Sequence, residues 1–383
     1  MDLVEFLTLR DAGLPSVIEK VHESIGLRDD DVLLAVGSLV EGLGNSKSDV
    51  DLLLITRREI GAHPATLVVD RCLVDLRVLH ARDVEELLLR FDAWSRLEWA
   101  VTHAVKFTLD ERTLLHRILN GYPLYNGRRN RVMKRLPQPR DLARLKLHVA
   151  RQASRTIQVD MAGYRETGDY RSMVFAAQEV AGHAVDALAA GYELTNPLIK
   201  WRSRMLDAVP DDWEGSLMTR PTGLKAGEFI WRLHRAPEWP DRASTSKHAL
   251  RITTFARAVF LSAEFRLLGA PAALKEAFRR FPRGKMRSTA RDSEAALPYL
   301  DFDVDFVLSE TGAALGRLNE FGEPIELPPC EFAVALFFDG ITTARDAATR
   351  VYGSSAKKVL KNVDNVLSRI TEAGFTVPCT AHE

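Results

Sequence analysis

Two aspartates, Asp49 and Asp51, stand at the head of the apolar run Leu52-Leu53-Leu54-Ile55. Residues two apart in a strand leave the same face, so both carboxylates project together. Such a pair can grip one Mg²⁺ or bridge two, because magnesium takes hard oxygen ligands and shares its shell with phosphate oxygens. Upstream, Gly37 ends the apolar run Val32-Leu33-Leu34-Ala35-Val36 and Ser38 follows it. Glycine lets backbone come close to a ligand, a serine hydroxyl can donate to a phosphate oxygen, and amides opening a short helix favour anions. A third carboxylate is then expected on a neighbouring strand. Alternation over Leu73 to Leu79 puts Val74, Leu76 and Val78 on one face and Asp75 with Arg77 on the other, with Asp70 the second candidate. The chemistry these groups suit is in-line displacement at phosphorus, where metals on shared carboxylates stabilise the attacking and leaving oxygens. The plain alternative is a glycine turn followed by two surface acids at a strand entry.

The elements that must hold these groups can be read around them. The stretch to about Gly26 reads as helix with a break at Pro15, and the strands carrying Gly37, Asp51 and Asp75 follow. From Asp83 to Leu119 apolar residues recur at three and four, the helical period, and Arg117 to Tyr125 reads as a helix stopped by Gly121 and Pro123. From Arg140 to about Leu268 the pattern is helical, broken near Gly168-Asp169, Asn196-Pro197, Pro210 and Pro237 to Pro240, which predicts an all-α bundle. Trp94, Trp99, Trp213, Trp231 and Trp239 are expected in helix packing. Arg279 to Arg291 is rich in Arg and Lys with Pro, Gly and Ser between, the composition of a linker.

The set Val36-Gly37-Ser38, Asp49-Val50-Asp51-Leu52 and Val74-Asp75-Leu76 resembles the DNA polymerase β-like nucleotidyltransferase superfamily. Its pattern is a hydrophobic residue, Gly, Gly or Ser, a spacer, Asp-x-Asp, then a lone acid between hydrophobics. The polar loop Gly44-Asn45-Ser46-Lys47-Ser48 looks like that of the small-molecule branch, which includes the antibiotic nucleotidyltransferases. The resemblance implies a strand-rich catalytic unit followed by a helical bundle. It also implies Mg²⁺ on Asp49 and Asp51, with Asp75 as metal ligand or general base, and a nucleoside triphosphate at Gly37, Ser38 and Lys47. Lys200, beside Trp201, would be a further phosphate contact; its alternative is a lysine lying along the indole. Glu179 and His183 lie four apart on one helical face, suited to acceptor binding or, for Glu179, to an auxiliary base; the alternative is a solvated helix face. The acceptor would be a hydroxyl of a small molecule or a peptide-borne group.

The last segment carries Gly312, Leu318-Asn319, Phe338-Asp339-Gly340-Ile341-Thr342-Thr343 and Ala373-Gly374-Phe375. These resemble the PqqD-like winged-helix fold, which implies a leader peptide as partner, added as a strand to the sheet edge. Strands are expected over Val304 to Leu308 and Ala314 to Leu318, and helices over Cys330 to Phe338, up to Val351, and Val359 to Ala373. Asp301, Asp303, Asp305 and Glu310 depart from that pattern, and a structural cap or dimerisation wing competes with leader binding.

The fold class expected is α+β: a mixed-sheet nucleotidyltransferase domain over 1–130, a helical bundle over 131–278, a basic linker over 279–300 and a winged-helix domain over 301–383. With 52 basic and 52 acidic residues, no overall field favours nucleic acid, so transfer to RNA is the minor reading, beside a non-catalytic peptide-binding protein. Cys72, Cys330 and Cys379 are odd in number and far apart, which predicts a reducing, cytoplasmic setting without disulfides or zinc. No export signal or membrane span is expected.

Overall fold

The apolar runs read from the sequence become strands. The computed structural model describes residues 1–60, 65–97, 106–128, 132–213, 222–269, 274, 295–308, 313–318, 323–354 and 356–378. Over these residues the chain is mixed α/β and divides into two compact units, Met1–Leu142 with Thr195–Arg204, and Ala143–Leu194 with Met205–Glu383.

The first unit opens with α1 (Leu3–Thr8) and α2 (Leu14–Ile25), then β1 (Val32–Val36), β2 (Val50–Thr56), β3 (Thr66–Val69) and β4 (Cys72–His80). Helices α3 (Ala81–Ser95) and α4 (Leu109–Asn120) and strand β5 (Tyr122–Asn126) complete it. The sheet order is β3-β4-β2-β1-β5, with β2 and β4 parallel and every other pair antiparallel. Period-two alternation sorts its faces. Leu33, Ala35, Leu52, Leu54, Val74 and Leu76 join Phe6, Leu7, Val17 and Val21 of α1 and α2 in one core, so those helices cover one face. Asp51 and Asp75 fall on the other, toward which α3 and α4 are packed. Thr108 and Glu111 cap α4 reciprocally, each side chain accepting the other's backbone N–H, which fixes where that helix starts.

The second unit is built on α5 (Pro139–Thr167), α6 (Tyr170–Gly191), α7 (Arg202–Asp207), α8 (Ala226–His234) and α9 (Arg242–Leu268), the first and third of which begin or straddle the border between units. The buried alanines of α6 let α9 come close; a side chain at Gly191 would press on the Ala263 backbone. The C-terminal segment runs β6 (Tyr299–Leu300), β7 (Val304–Leu308), β8 (Ala313–Arg317), β9 (Ile325–Leu327), α10 (Pro329–Ala335), α11 (Ala344–Tyr352), α12 (Lys357–Glu372) and β10 (Thr376–Val377). β7, β8 and β9 form an antiparallel meander, and β10 pairs with β6. Phe302, Phe306, Phe332, Phe337 and Phe338 fill its core together with Val363, Val366 and Ile370 of α12.

Four expectations need correction. Pro15 does not break a helix: it sits in the first turn of α2, where its missing N–H costs nothing. Tyr122 to Tyr125 is not the tail of a helix but most of β5, an edge strand on β1 where Pro123 is tolerated. Trp231 and Trp239 are 80% and 71% exposed, whereas Trp94 and Trp213 are packed as expected. The end of the expected linker is ordered, since Tyr299 and Leu300 form β6. Trp99, the basic stretch Arg279 to Arg291, Glu310, Thr311, Gly312, Asn319 and Cys379 lie outside the described residues. No helix among the described residues is long and apolar enough to cross a membrane.

Candidate functional site

Register is what assembles the acids. Asp51 stands opposite Asp75 across the parallel β2–β4 pair and opposite Val36 across the antiparallel β1–β2 pair. Gly37 therefore leaves β1 beside the Asp51 carboxylate. Its φ is +79°, and a Cβ there would collide with that carboxylate, so glycine is required by both conformation and space. The chain then coils through hydrogen-bonded turns, with Glu41 N–H donating to Gly37 O (3.3 Å) and Leu43 N–H to Ser38 O (2.8 Å). This is a tight turn and not the short helix expected after Ser38. Lys47 is exposed on the next loop, which is braced by Asn45: its Oδ1 accepts from Lys47 N–H (2.8 Å) and its own N–H donates to Ser48 Oγ (3.0 Å).

Charge around Asp51 is unbalanced. Burial pushes its carboxyl above the ordinary range, Arg117 opposes the shift, Asp49 and Asp75 add to it, and Lys200 opposes it again. The contact with Arg117 is long: Nη2 donates to Oδ1 at 3.4 Å. Asp49 and Asp75 are exposed. Three carboxylates at one sheet edge, in mutual repulsion, are the donor type that Mg²⁺ takes, with no thiolate or imidazole among them. As the side chains stand, no group of three His, Cys, Asp or Glu among the described residues closes into a ligand set.

The structure thus brings Gly37, Asp49, Asp51, Asp75 and Lys200 into one neighbourhood and sets Ser38, half-buried, at the turn beside it. Lys200 also stacks on Trp201, with Nζ 5.1 Å from the ring centroid. Glu179 is an exposed residue of α6, in the second unit, and His183 lies 4.0 Å from Asp186. Asp70 sits in the β3–β4 turn with φ +52°, which leaves Asp75 as the strand acid in register with Asp51. Arg117 was missed by sequence reasoning. It is one of many arginines on helical patterns, and only the packing of α4 on the sheet singles it out.

The acids of the C-terminal segment serve a different purpose. Asp305 accepts from Arg155 Nε (2.8 Å) and Arg151 Nη2 (3.3 Å), Asp301 takes a bidentate pair from Arg165 (2.6 and 2.9 Å), and Asp303 binds Arg317 Nη1 (2.6 Å). Arg151 also pairs with Glu264. Burial alone would raise the Asp305 carboxyl, but Arg151, Arg155 and Arg257 override it and hold it down at about 2. The outward carbonyls of β7 are taken as well: Arg257 Nε donates to Val304 O (2.8 Å) and Arg151 Nη2 to Phe306 O (2.7 Å). An added strand at that edge would lose these acceptors, which leaves β9 as the edge for pairing.

No protein-family model matches the chain, and no curated protein matches it either.

Proposed function

We propose that this chain is a Mg²⁺-dependent nucleotidyltransferase of the DNA polymerase β-like class. It moves a nucleoside monophosphate from an NTP to a hydroxyl of a small-molecule or peptide-borne acceptor. The observation that carries this reading is the register of Asp51 with Asp75 beside the left-handed Gly37 turn. Three like charges held together at an open sheet edge raise the free energy of the folded chain, and a divalent cation with a triphosphate is the ligand that would relieve them.

In this reading Asp49, Asp51 and Asp75 hold magnesium, which when bound neutralises charge on the phosphates and on the leaving pyrophosphate. The Gly37–Ser38 turn receives the triphosphate, and Lys47, Lys200 and Arg117 supply cations around it. The acceptor oxygen forms its bond to the α-phosphorus as the bond from that phosphorus to the bridging oxygen breaks, and pyrophosphate leaves. Asp75 is first choice to take the hydroxyl proton, being in register with Asp51; Glu179 is the second. Positioning and charge neutralisation are the whole of the catalysis asked of these groups.

The C-terminal segment would be the PqqD-like winged helix, with a leader peptide pairing to β9 as an added strand. A cytoplasmic, reducing setting belongs to the same proposal and accords with free Cys72 and Cys330. The test is incubation of the protein with each α-labelled NTP, Mg²⁺ and extract of the source cell, followed by mass identification of the labelled product. Label is expected on a hydroxyl-bearing product with at least one NTP. No incorporation from any of the four would remove the assignment.

A further inference from the structure

A buried polar cluster in the first unit lies outside the acid site and ties together the segments that supply it. His116, on α4, is 4% exposed. Its Nε2 faces Glu41 Oε1 at 3.0 Å, off the line of an ideal hydrogen bond, and its Nδ1 lies 2.9 Å from Thr195 Oγ1 and 3.0 Å from Asn120 Nδ2. Asn196 Nδ2 donates to the other Glu41 oxygen at 2.9 Å, while Asn196 Oδ1 accepts from Leu198 N–H at 3.0 Å. An ionised carboxylate only accepts, so the arrangement selects the tautomer with the proton on Nε2. Nδ1 is then left to accept from the Thr195 hydroxyl and the Asn120 amide.

Three separate stretches meet here: the turn after Gly37 through Glu41, α4 through His116, and the segment Thr195–Arg204 through Thr195 and Asn196. Each carries a group of the acid site close by in sequence: Ser38, Arg117 and Lys200. Thr195 to Lys200 contains a proline and only a short 3-10 turn at Ile199–Trp201, so its own backbone fixes it poorly. Its anchorage comes from side chains. We infer that Glu41, His116 and Asn196 form a positioning clasp that holds Lys200 at the acid site, so that nucleotide affinity depends on residues that never touch nucleotide. This rests on the nucleotidyl-transfer reading, and His116 acts through Lys200 instead of on the reacting atoms.

The test pairs two measurements on the full chain. Hydrogen exchange at the Leu198 and Trp201 amides reads the segment directly; His116→Ala and, from the other side, Asn196→Ala should speed it by about tenfold or more while the β1 and β2 amides keep their protection. Calorimetric titration with NTP and Mg²⁺ reads the consequence: His116→Ala should weaken binding about tenfold, and should add almost nothing once Lys200→Ala is already present. His116→Gln, which can still donate to Glu41, should recover part of the loss. Unchanged exchange in both alanine variants overturns the clasp, as does an equal loss of affinity with and without Lys200. If the wild-type chain binds no NTP, the nucleotidyl-transfer reading fails, and the exchange rates alone then decide whether the clasp exists.

Discussion

The tripeptide Asp-Val-Asp occurs twice, as Asp49-Val50-Asp51 and as Asp303-Val304-Asp305, each time beside apolar strand residues. The two copies live in opposite surroundings. Asp51 has acids for neighbours and one distant guanidinium, and its carboxyl is pushed up; Asp305 is enclosed by Arg151, Arg155 and Arg257, and its carboxyl is held at about 2. The second set is internally satisfied and fastens β7 to helices α5 and α9 of its own unit. The first set lacks matching cations of its own and is therefore a place for a ligand. Asp-x-Asp alone says nothing about chemistry; the charges it faces decide.

The contrast can be broken at its strongest point first. Arg151→Met removes the partner of Glu264 and one partner of Asp305, leaving buried charge uncompensated, and should destabilise the second unit by about 3–5 kcal/mol in denaturant melts. A loss below about 1 kcal/mol would show the network to be ornamental. Asp51→Asn is expected to do the reverse: turnover drops on the order of 10²-fold or more, the scale of one lost transition-state contact, while the melting temperature holds or rises. A variant that unfolds instead would make the acids of the first unit structural.

Metal should separate the two sets next. Mg²⁺ at a hundred times its dissociation constant should add about 2.7 kcal/mol to the stability of the first unit and little to the second, and Asp51→Asn should erase the gain. Differential scanning calorimetry with and without EDTA checks it. The smallest effect is the pH trend, and its sign differs between units. Asp305 is lowered in the folded chain, so its contribution is complete above the ordinary value of 3.8 and is lost as pH falls toward about 2. Asp51 is raised, so the folded chain takes its proton first, and stability of the first unit should increase as pH falls through that raised value toward 3.8. Parallel trends in both units would contradict the assignment of partners.

Much of this was legible in the chain itself, for reasons that also explain what was not. β1, β2 and β4 carry strong periodic patterns, and the pairing of Asp51 with Asp75 followed from assigning both to strands on one face. The long helices from Pro139 to Leu268 were marked by their period and by glycine and proline breaks. β5 was hidden because Tyr122-Pro123-Leu124-Tyr125-Asn126 is an edge strand without alternation, following a helix with no break but a glycine. β6, β9 and β10 are two or three residues long, too short for any period to register. Arg117, Glu41 and His116 escaped because their roles are set by tertiary packing: His116 meets a residue 79 positions away. The charge balance of Asp301, Asp303 and Asp305 was invisible for the same reason, since Arg165, Arg317 and Arg155 are assigned to them only by the fold.

The central claim is that the acids of the first unit are a metal and nucleotide site. Isothermal calorimetry with each NTP in the presence of Mg²⁺, on the wild-type chain and on Asp51→Asn, tests it most directly. The account predicts that at least one NTP binds the wild type and that binding is at least about tenfold weaker, or lost, in the folded variant. Absence of binding for all four NTPs, or equal affinity in the variant, would contradict it.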